Sequence, residues 1–115
     1  MIEKSKKTVA REFANEYNVT TVLKGYRSIV ASPRRMAYTN PSGNPGMASG
    51  GTGDVLVGII AAFLACGMAA FKAAKLGVYV HGLAGDIAAK KKSEISLRAT
   101  DLLKFLPQAF RKIYG

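Results

Sequence analysis

The chain has 115 residues, 49% of them hydrophobic and 21% charged, with a net charge of +10 and a single cysteine. That size allows one domain around one core, and the composition excludes a disordered or fibrous chain as well as an internal disulfide framework. No apolar run reaches the roughly 20 residues that cross a bilayer, and Met1 to Lys7 carry no secretory apolar stretch, so the expectation is a cytoplasmic protein with no membrane partner.

The first helix is expected from Glu3 to Tyr17, where Val9, Phe13 and Tyr17 recur at i, i+4 and i+8 as a packing stripe. Asn18 ends it. Val19 to Leu23 is β-branched enough for a strand, Lys24 to Arg27 for a tight turn using Gly25, and Ser28 to Ala31 for a second strand. A turn at Ser32 to Arg35 leads to a short third strand, Met36 to Thr39. The first strand is expected to have parallel neighbours with helices on both faces, which three strands do not supply.

Asn40 to Gly53 holds five glycines and two prolines in fourteen residues and reads as a shaped loop. Val55 to Cys66 is apolar nearly all round, which predicts a helix buried on most sides, with Cys66 as a small buried hydrophobe and Gly67 as its stop. A third helix is expected from Ala69 to Lys91, with Ala73, Leu76, Gly77, Val80, Leu83, Ala84 and Ile87 on one apolar side. A fourth, capped by Thr100 or Asp101, spans Leu102 to Tyr114, with Pro107 kinking it or shifting its start.

The sharpest chemical signal is Gly50-Gly51-Thr52-Gly53-Asp54 at the entry to the apolar helix. Glycines let amides approach an anion closely, and the free N–H groups of a first helical turn carry partial positive charge. A carboxylate beside such a cradle can take a proton while the amides stabilise a transferring phosphoryl group. The same residues would also make a simple helix cap and turn, and composition does not choose between the two. No Lys-Ser/Thr pair follows the last glycine, so this is not a P-loop. Lys24, at a strand end, is a second candidate for phosphate contact, with an ordinary surface lysine as the alternative. His81, the one histidine, has no partner in sequence for a metal and reads as a packing or hydrogen-bonding group, with a place in a nucleotide pocket as the alternative.

The basic residues are scattered: Lys4, Lys6 and Lys7, Arg34 and Arg35, Lys90 to Lys92, Arg111 and Lys112. That distribution reads as a solvated surface with no nucleic-acid partner, and anionic nucleotides suit the same charge.

Val22-Leu23-Lys24-Gly25, the run from Asn40 to Ala61, Gly77 to Asp86, Ser96 to Leu103 and Leu106-Pro107 together resemble the ADP/ATP-dependent NAD(P)H-hydrate dehydratases. The resemblance implies an α/β, ribokinase-like fold, with this chain as its C-terminal portion only: short strands and about four helices, the central sheet incomplete and the N-terminal half absent. It implies ADP- or ATP-coupled dehydration of hydrated NADH or NADPH, with Mg2+ accompanying the nucleotide and a homo-oligomeric state. It places Lys24, Gly25, Tyr26, Arg27 and Ser28 in one nucleotide-binding segment. Asn44, Pro45, Gly46, Met47, Ala48, Ser49, Gly50, Gly51, Thr52 and Gly53 form the other. Asp54 matches the aspartate that contacts the hydrated nicotinamide and serves as base. Ser28 stands where the family pattern leads one to expect Thr or Asp and keeps a hydroxyl. The His-Pro-Gly region that helps hold the substrate in the family is not in this sequence. A small-molecule kinase of the same fold and an inactive fragment needing a complementary half are the alternatives.

Overall fold

The computed structural model describes the backbone of residues 2–115 and the side chains of residues 5–115, so Met1 and the side chain of Lys4 in the N-terminal basic cluster lie outside the described residues. In chain order the elements are α1 (Ile2–Tyr17), β1 (Thr21–Leu23), β2 (Ile29–Ala31), β3 (Tyr38–Thr39), a 3-10 turn (Pro45–Ala48), α2 (Thr52–Ala65), α3 (Ala70–Lys92) and α4 (Ala99–Tyr114).

The three strands make one antiparallel sheet in the order β1-β2-β3, with Val22 opposite Val30 and Val30 opposite Tyr38. The tight turn expected at Lys24–Arg27 makes β1 and β2 a hairpin, since a five-residue connection is too short for a parallel crossover, and no parallel neighbour of β1 is among the described residues. Alternation along β2 then divides the core. Ile29 and Ala31 face α1 through Ala10 and Ala14, while Val30 faces α2 and α3 through Leu56, Ala74 and Val78.

The expected packing stripe of α1 is also corrected. Val9, Phe13 and Tyr17 are 57%, 49% and 59% exposed, and the buried pair is Ala10 and Ala14, one turn apart. Two alanines let the helix axis come close to the sheet, which no aromatic at those positions would permit. Phe13 and Tyr17 instead pack on each other, ring centroids 4.6 Å apart.

α2 begins at Thr52, ahead of the apolar run, and it is not buried on most sides. Its buried residues are Thr52, Leu56 and Ile59, whereas Val57, Leu64 and Cys66 are exposed. An all-round apolar pattern records how apolar a helix is and not how many neighbours cover it. The side that is covered meets α3 very closely: a Cβ added to Gly77 would lie 2.6 Å from Ile60 Cγ1.

α3 and α4 enclose the largest apolar cluster, built on Val80, Ala84, Ile87, Leu97 and Phe105. The cap of α4 differs from expectation. Arg98 is the N-cap, and Asp101, at the third helical position, accepts from the Arg98 N–H at 2.9 Å and pairs with Lys92 Nζ at 3.0 Å. The Lys92 ammonium, and after it the Arg98 amide, hold the Asp101 carboxyl below its ordinary value. Pro107 sits inside α4 and neither ends it nor sets its start. The carbonyl it leaves without a donor belongs to Leu103, which faces solvent at 54% exposure.

Where the sheet meets the loop, the buried Asn40 uses its whole side chain. Its Nδ2 donates to the carbonyls of Val78 (2.9 Å) and Ser42 (3.3 Å), and its Oδ1 accepts from Ser42 Oγ and Tyr38 Oη. Asn40→Ala is expected to lower unfolding free energy by about 2 kcal/mol, since several buried groups lose partners at once; urea titration of both proteins checks this, and an unchanged midpoint would show the network to be dispensable.

Candidate functional site

Segment 40–53 takes its shape from α3 and from hydroxyls within the segment. Ser42 Oγ lies 3.0 Å from the Tyr79 carbonyl, to which it can donate. Asp86 accepts from the Gly43 N–H (3.0 Å, Oδ2) and from Asn44 Nδ2 (3.0 Å, Oδ1), and Asn44 Oδ1 in turn caps the 3-10 turn by accepting from the Gly46 N–H at 3.0 Å. Farther on, the buried Thr52 hydroxyl lies 2.7 Å from the Met47 carbonyl and 3.0 Å from that of Ser49, sharing its proton between them. Gly51, at φ 89°, makes the left-handed N-cap that aims the chain into α2, a backbone conformation that side chains resist.

The result is a cavity of about 550 Å³, within the usual range for a small-molecule site. From the first predicted segment, Lys24, Gly25, Tyr26 and Ser28 line it; Arg27 does not, and its guanidinium lies over the Tyr26 ring, 5.4 Å from the centroid. The Ser28 hydroxyl closes the turn by accepting from the Gly25 N–H (3.1 Å) and donating to its carbonyl (3.0 Å). Both Gly25, at φ 156°, and Arg27, at φ 59°, take positive φ in this turn.

From the second segment, every residue from Asn44 to Gly53 lines the cavity except Gly46, which is pressed against the backbone of Glu94. Asp54 sits beside the cavity without lining it, exposed at the third position of α2, where a carboxylate suits the helix dipole. The sequence reading of the site leaves out Asn40, Ser42 and Gly43 from the same loop and Leu56, Val78 and Gly82 from the helices, and holds His81 only as an alternative. Small and polar residues at 78, 81, 82 and 85 share one face of α3 at helical spacing, and that is the available signal.

The electrostatics are lopsided. Among the described residues, the N–H groups of Gly53 and Asp54 have no acceptor, as expected for a first helical turn. Lys24 reaches across this same turn, so that a Cβ added to Gly53 would lie 2.6 Å from its Nζ, and no carboxylate among the described residues forms an ion pair with it. A cation held against the positive end of a helix is unfavourable unless an anion joins them. His81 stands behind, its Nε2 2.8 Å from the Thr52 carbonyl, which fixes Nε2–H as the donor. Burial lowers its pKa, opposed by the Thr52 bond and assisted by the Lys24 charge, so the ring is neutral.

A family model described as NAD(P)H-hydrate dehydratase matches residues 1–108. The bifunctional NAD(P)H-hydrate repair enzyme Nnr of Moorella thermoacetica is 44% identical over 112 residues, 97% of this chain and 21% of that protein. The ADP/ATP-dependent NAD(P)H-hydrate dehydratase from Bacillus subtilis, co-crystallized with ATP/Mg2+, superposes with a TM-score of 0.89 at 32% identity, covering 96% of this chain and 40% of that one. A ribokinase-like superfamily protein from Enterococcus faecalis V583 superposes with a TM-score of 0.71 at 34% identity, covering 96% and 38%. The chain therefore spans from about a fifth to about two fifths of the length of these relatives. Among the described residues no helix is long and apolar enough to cross a membrane. The match runs through the glycine-rich segment, α2 and α3, and the chain belongs to the NAD(P)H-hydrate dehydratase family, with part of its ribokinase-like fold.

Proposed function

We propose that the cavity binds the phosphates of ADP or ATP, and that the chain, together with the remainder of the family fold, dehydrates hydrated NADH or NADPH with Asp54 as base. The observation that carries the reading is the positive pole formed by the free amides of α2 and by Lys24, which has no carboxylate ion-pair partner among the described residues, with Asp54 at its exposed rim. A polyanion there gains two attractions at once and removes the repulsion between lysine and helix end. Tyr26 and Arg27 form the lip beside Lys24, and the Asn44–Gly53 arc encloses the ligand.

Asp54 accepts the proton of the hydrate hydroxyl as that oxygen attacks the terminal phosphorus, whose bond to the bridging oxygen breaks and releases ADP from ATP, or AMP from ADP. The carbon–oxygen bond then breaks, the oxygen leaves as phosphate, and loss of a proton from the adjacent ring carbon restores the double bond. The described residues offer no cluster of three His, Cys, Asp or Glu side chains, so Mg2+ would be held chiefly by the nucleotide phosphates, as suits a hard and strongly hydrated ion.

Gly50 separates ligand from fold. Its φ is not positive and a Cβ added there would meet nothing within 4 Å, so Gly50→Ala leaves folding intact. A methyl group at this point of the arc is expected to weaken ATP affinity about tenfold by holding phosphate off the amides; calorimetric titration with ATP checks this, and unchanged affinity removes Gly50 from the cradle. In the complete enzyme, Asp54→Asn is expected to lower turnover of the hydrate at least about a hundredfold while leaving nucleotide affinity within about threefold. Turnover at the wild-type rate overturns the base assignment, and a stable phosphorylated product from an alcohol panel, without action on the hydrate, would make the protein a kinase.

The neutral His81 gives the site a pH signature. Its folded pKa lies below the free value of 6.5, so the unfolded chain binds the extra proton first. Its stabilising contribution is present above pH 6.5 and is lost as pH falls from there to the lower folded pKa. Thermal unfolding followed across this window should show a decline that His81→Phe abolishes; an equal decline in the variant would assign it to other groups.

A further inference from the structure

α3 presents Val78, His81, Gly82, Gly85 and Asp86 on one face, and that face is fitted to the glycine-rich segment. A Cβ at Gly82 would collide with Ser42 and lie 2.9 Å from the Gly43 nitrogen, and one at Gly85 would collide with the Met47 thioether. The two polar members of the face hold opposite ends of the segment: Asp86 the amide of Gly43 and the side chain of Asn44, His81 the carbonyl of Thr52. We infer that Asp86 and His81 are positioning residues, a two-point clamp that holds residues 43–53 in the shape that receives phosphate before any ligand arrives.

Asp86 does not line the cavity, so it acts through the loop and not by touching a ligand. Its two oxygens set the orientation of the Asn44 amide: Nδ2 must face Asp86, so Oδ1 faces the Gly46 N–H. At the other end the Thr52 carbonyl belongs to the residue just before Gly53, whose free amide is part of the positive pole. A loop held at both ends loses little conformational freedom on binding, and the difference appears as affinity. The ligand half of this inference rests on the nucleotide reading above; the clamp itself does not.

The chemistry supplies its own rescue. In Asp86→Asn, two NH2 groups face each other and one of three hydrogen bonds must fail, whichever way the amides turn. The double variant Asn44→Asp/Asp86→Asn exchanges the two groups. The amide now on α3 donates to the carboxylate now on the loop and accepts from the Gly43 N–H, while that carboxylate accepts from the Gly46 N–H, so all three bonds return. For His81, Phe removes the donor and Gln offers one again.

The test is amide hydrogen exchange across the full chain, with ATP affinity measured by calorimetry on the same proteins. Asp86→Asn is expected to speed exchange about tenfold at Gly43 and Gly46 and to weaken ATP binding by a similar factor, each matching the loss of one partly buried hydrogen bond. His81→Phe should do the same at Thr52 and Val55, the amides of this turn that donate hydrogen bonds. The double variant and His81→Gln should bring exchange back to within about threefold of wild type. Acceleration spread over the whole chain, unchanged exchange in both single variants, or a double variant no better protected than Asp86→Asn would each overturn the clamp. Should Asp86→Asn fail to fold, the His81 pair and the double variant decide by the same criteria. Local exchange changes as expected, in a wild-type chain that binds no ATP, would support the clamp and refute the nucleotide reading.

Discussion

Fourteen residues containing five glycines and two prolines cannot hold one shape through their own backbone bonds, because glycine gives up the most entropy on ordering and proline offers no N–H. The segment from Asn40 to Gly53 is ordered from outside. Val78 and Tyr79 lend carbonyl oxygens, Asp86 lends a carboxylate, His81 lends an N–H, and two glycines of α3 make room for the chain to lie close enough to reach them. The cavity follows from that contact. Much of its wall is the glycine-rich segment, its position relative to α2 is set by Thr52 and Gly51, and the free amides of the first turn of α2 lie at its edge.

Apolar packing serves the same arrangement. Val30 of β2 meets Leu56 of α2 and Val78 of α3 in one cluster, so the strand next to the hairpin that carries Lys24, the helix whose first turn carries the amides, and the helix that shapes the loop share one small core. Gly77 against Ile60 fixes the distance between the two helices at the residue next to Val78. The repulsion between Lys24 and the α2 N-terminus is sustained by this packing. An anion bound there would relieve the strain of keeping two positive groups together.

Much of this was legible in the sequence, and the parts that were not have definable causes. Element types and order followed from periodicity and from the punctuation at Asn18, Gly25, Ser32-Pro33 and Gly67, and the position of the glycine-rich loop followed from composition. Burial was misread in two helices for one reason. Periodicity identifies apolar residues without saying whether anything lies opposite, and α1 turns its alanines inward while Phe13 and Tyr17 face out. The site residues found from sequence were those in contiguous runs. Val78 and Gly82 were left out, and His81 was only an alternative, because they come from a helix some forty residues downstream of the loop's start and only the fold brings them there. The hairpin was legible because Lys24–Arg27 is too short a connection for anything but an antiparallel return.

The two asparagines that organise the loop share a neighbour: Asn40 precedes Pro41 and Asn44 precedes Pro45. An asparagine ages chemically when the next backbone nitrogen attacks its amide carbon, closing a ring that hydrolyses to aspartate, and a proline nitrogen carries no hydrogen to lose in that closure. Proline also keeps the preceding residue extended, as Asn44 is at φ −150° and ψ 164°. The loop thus combines glycines, which usually hasten such damage, with a sequence that shields the two amides it cannot lose. Over the lifetime of the protein, Asn44 is guarded against drifting into a second carboxylate directly opposite Asp86.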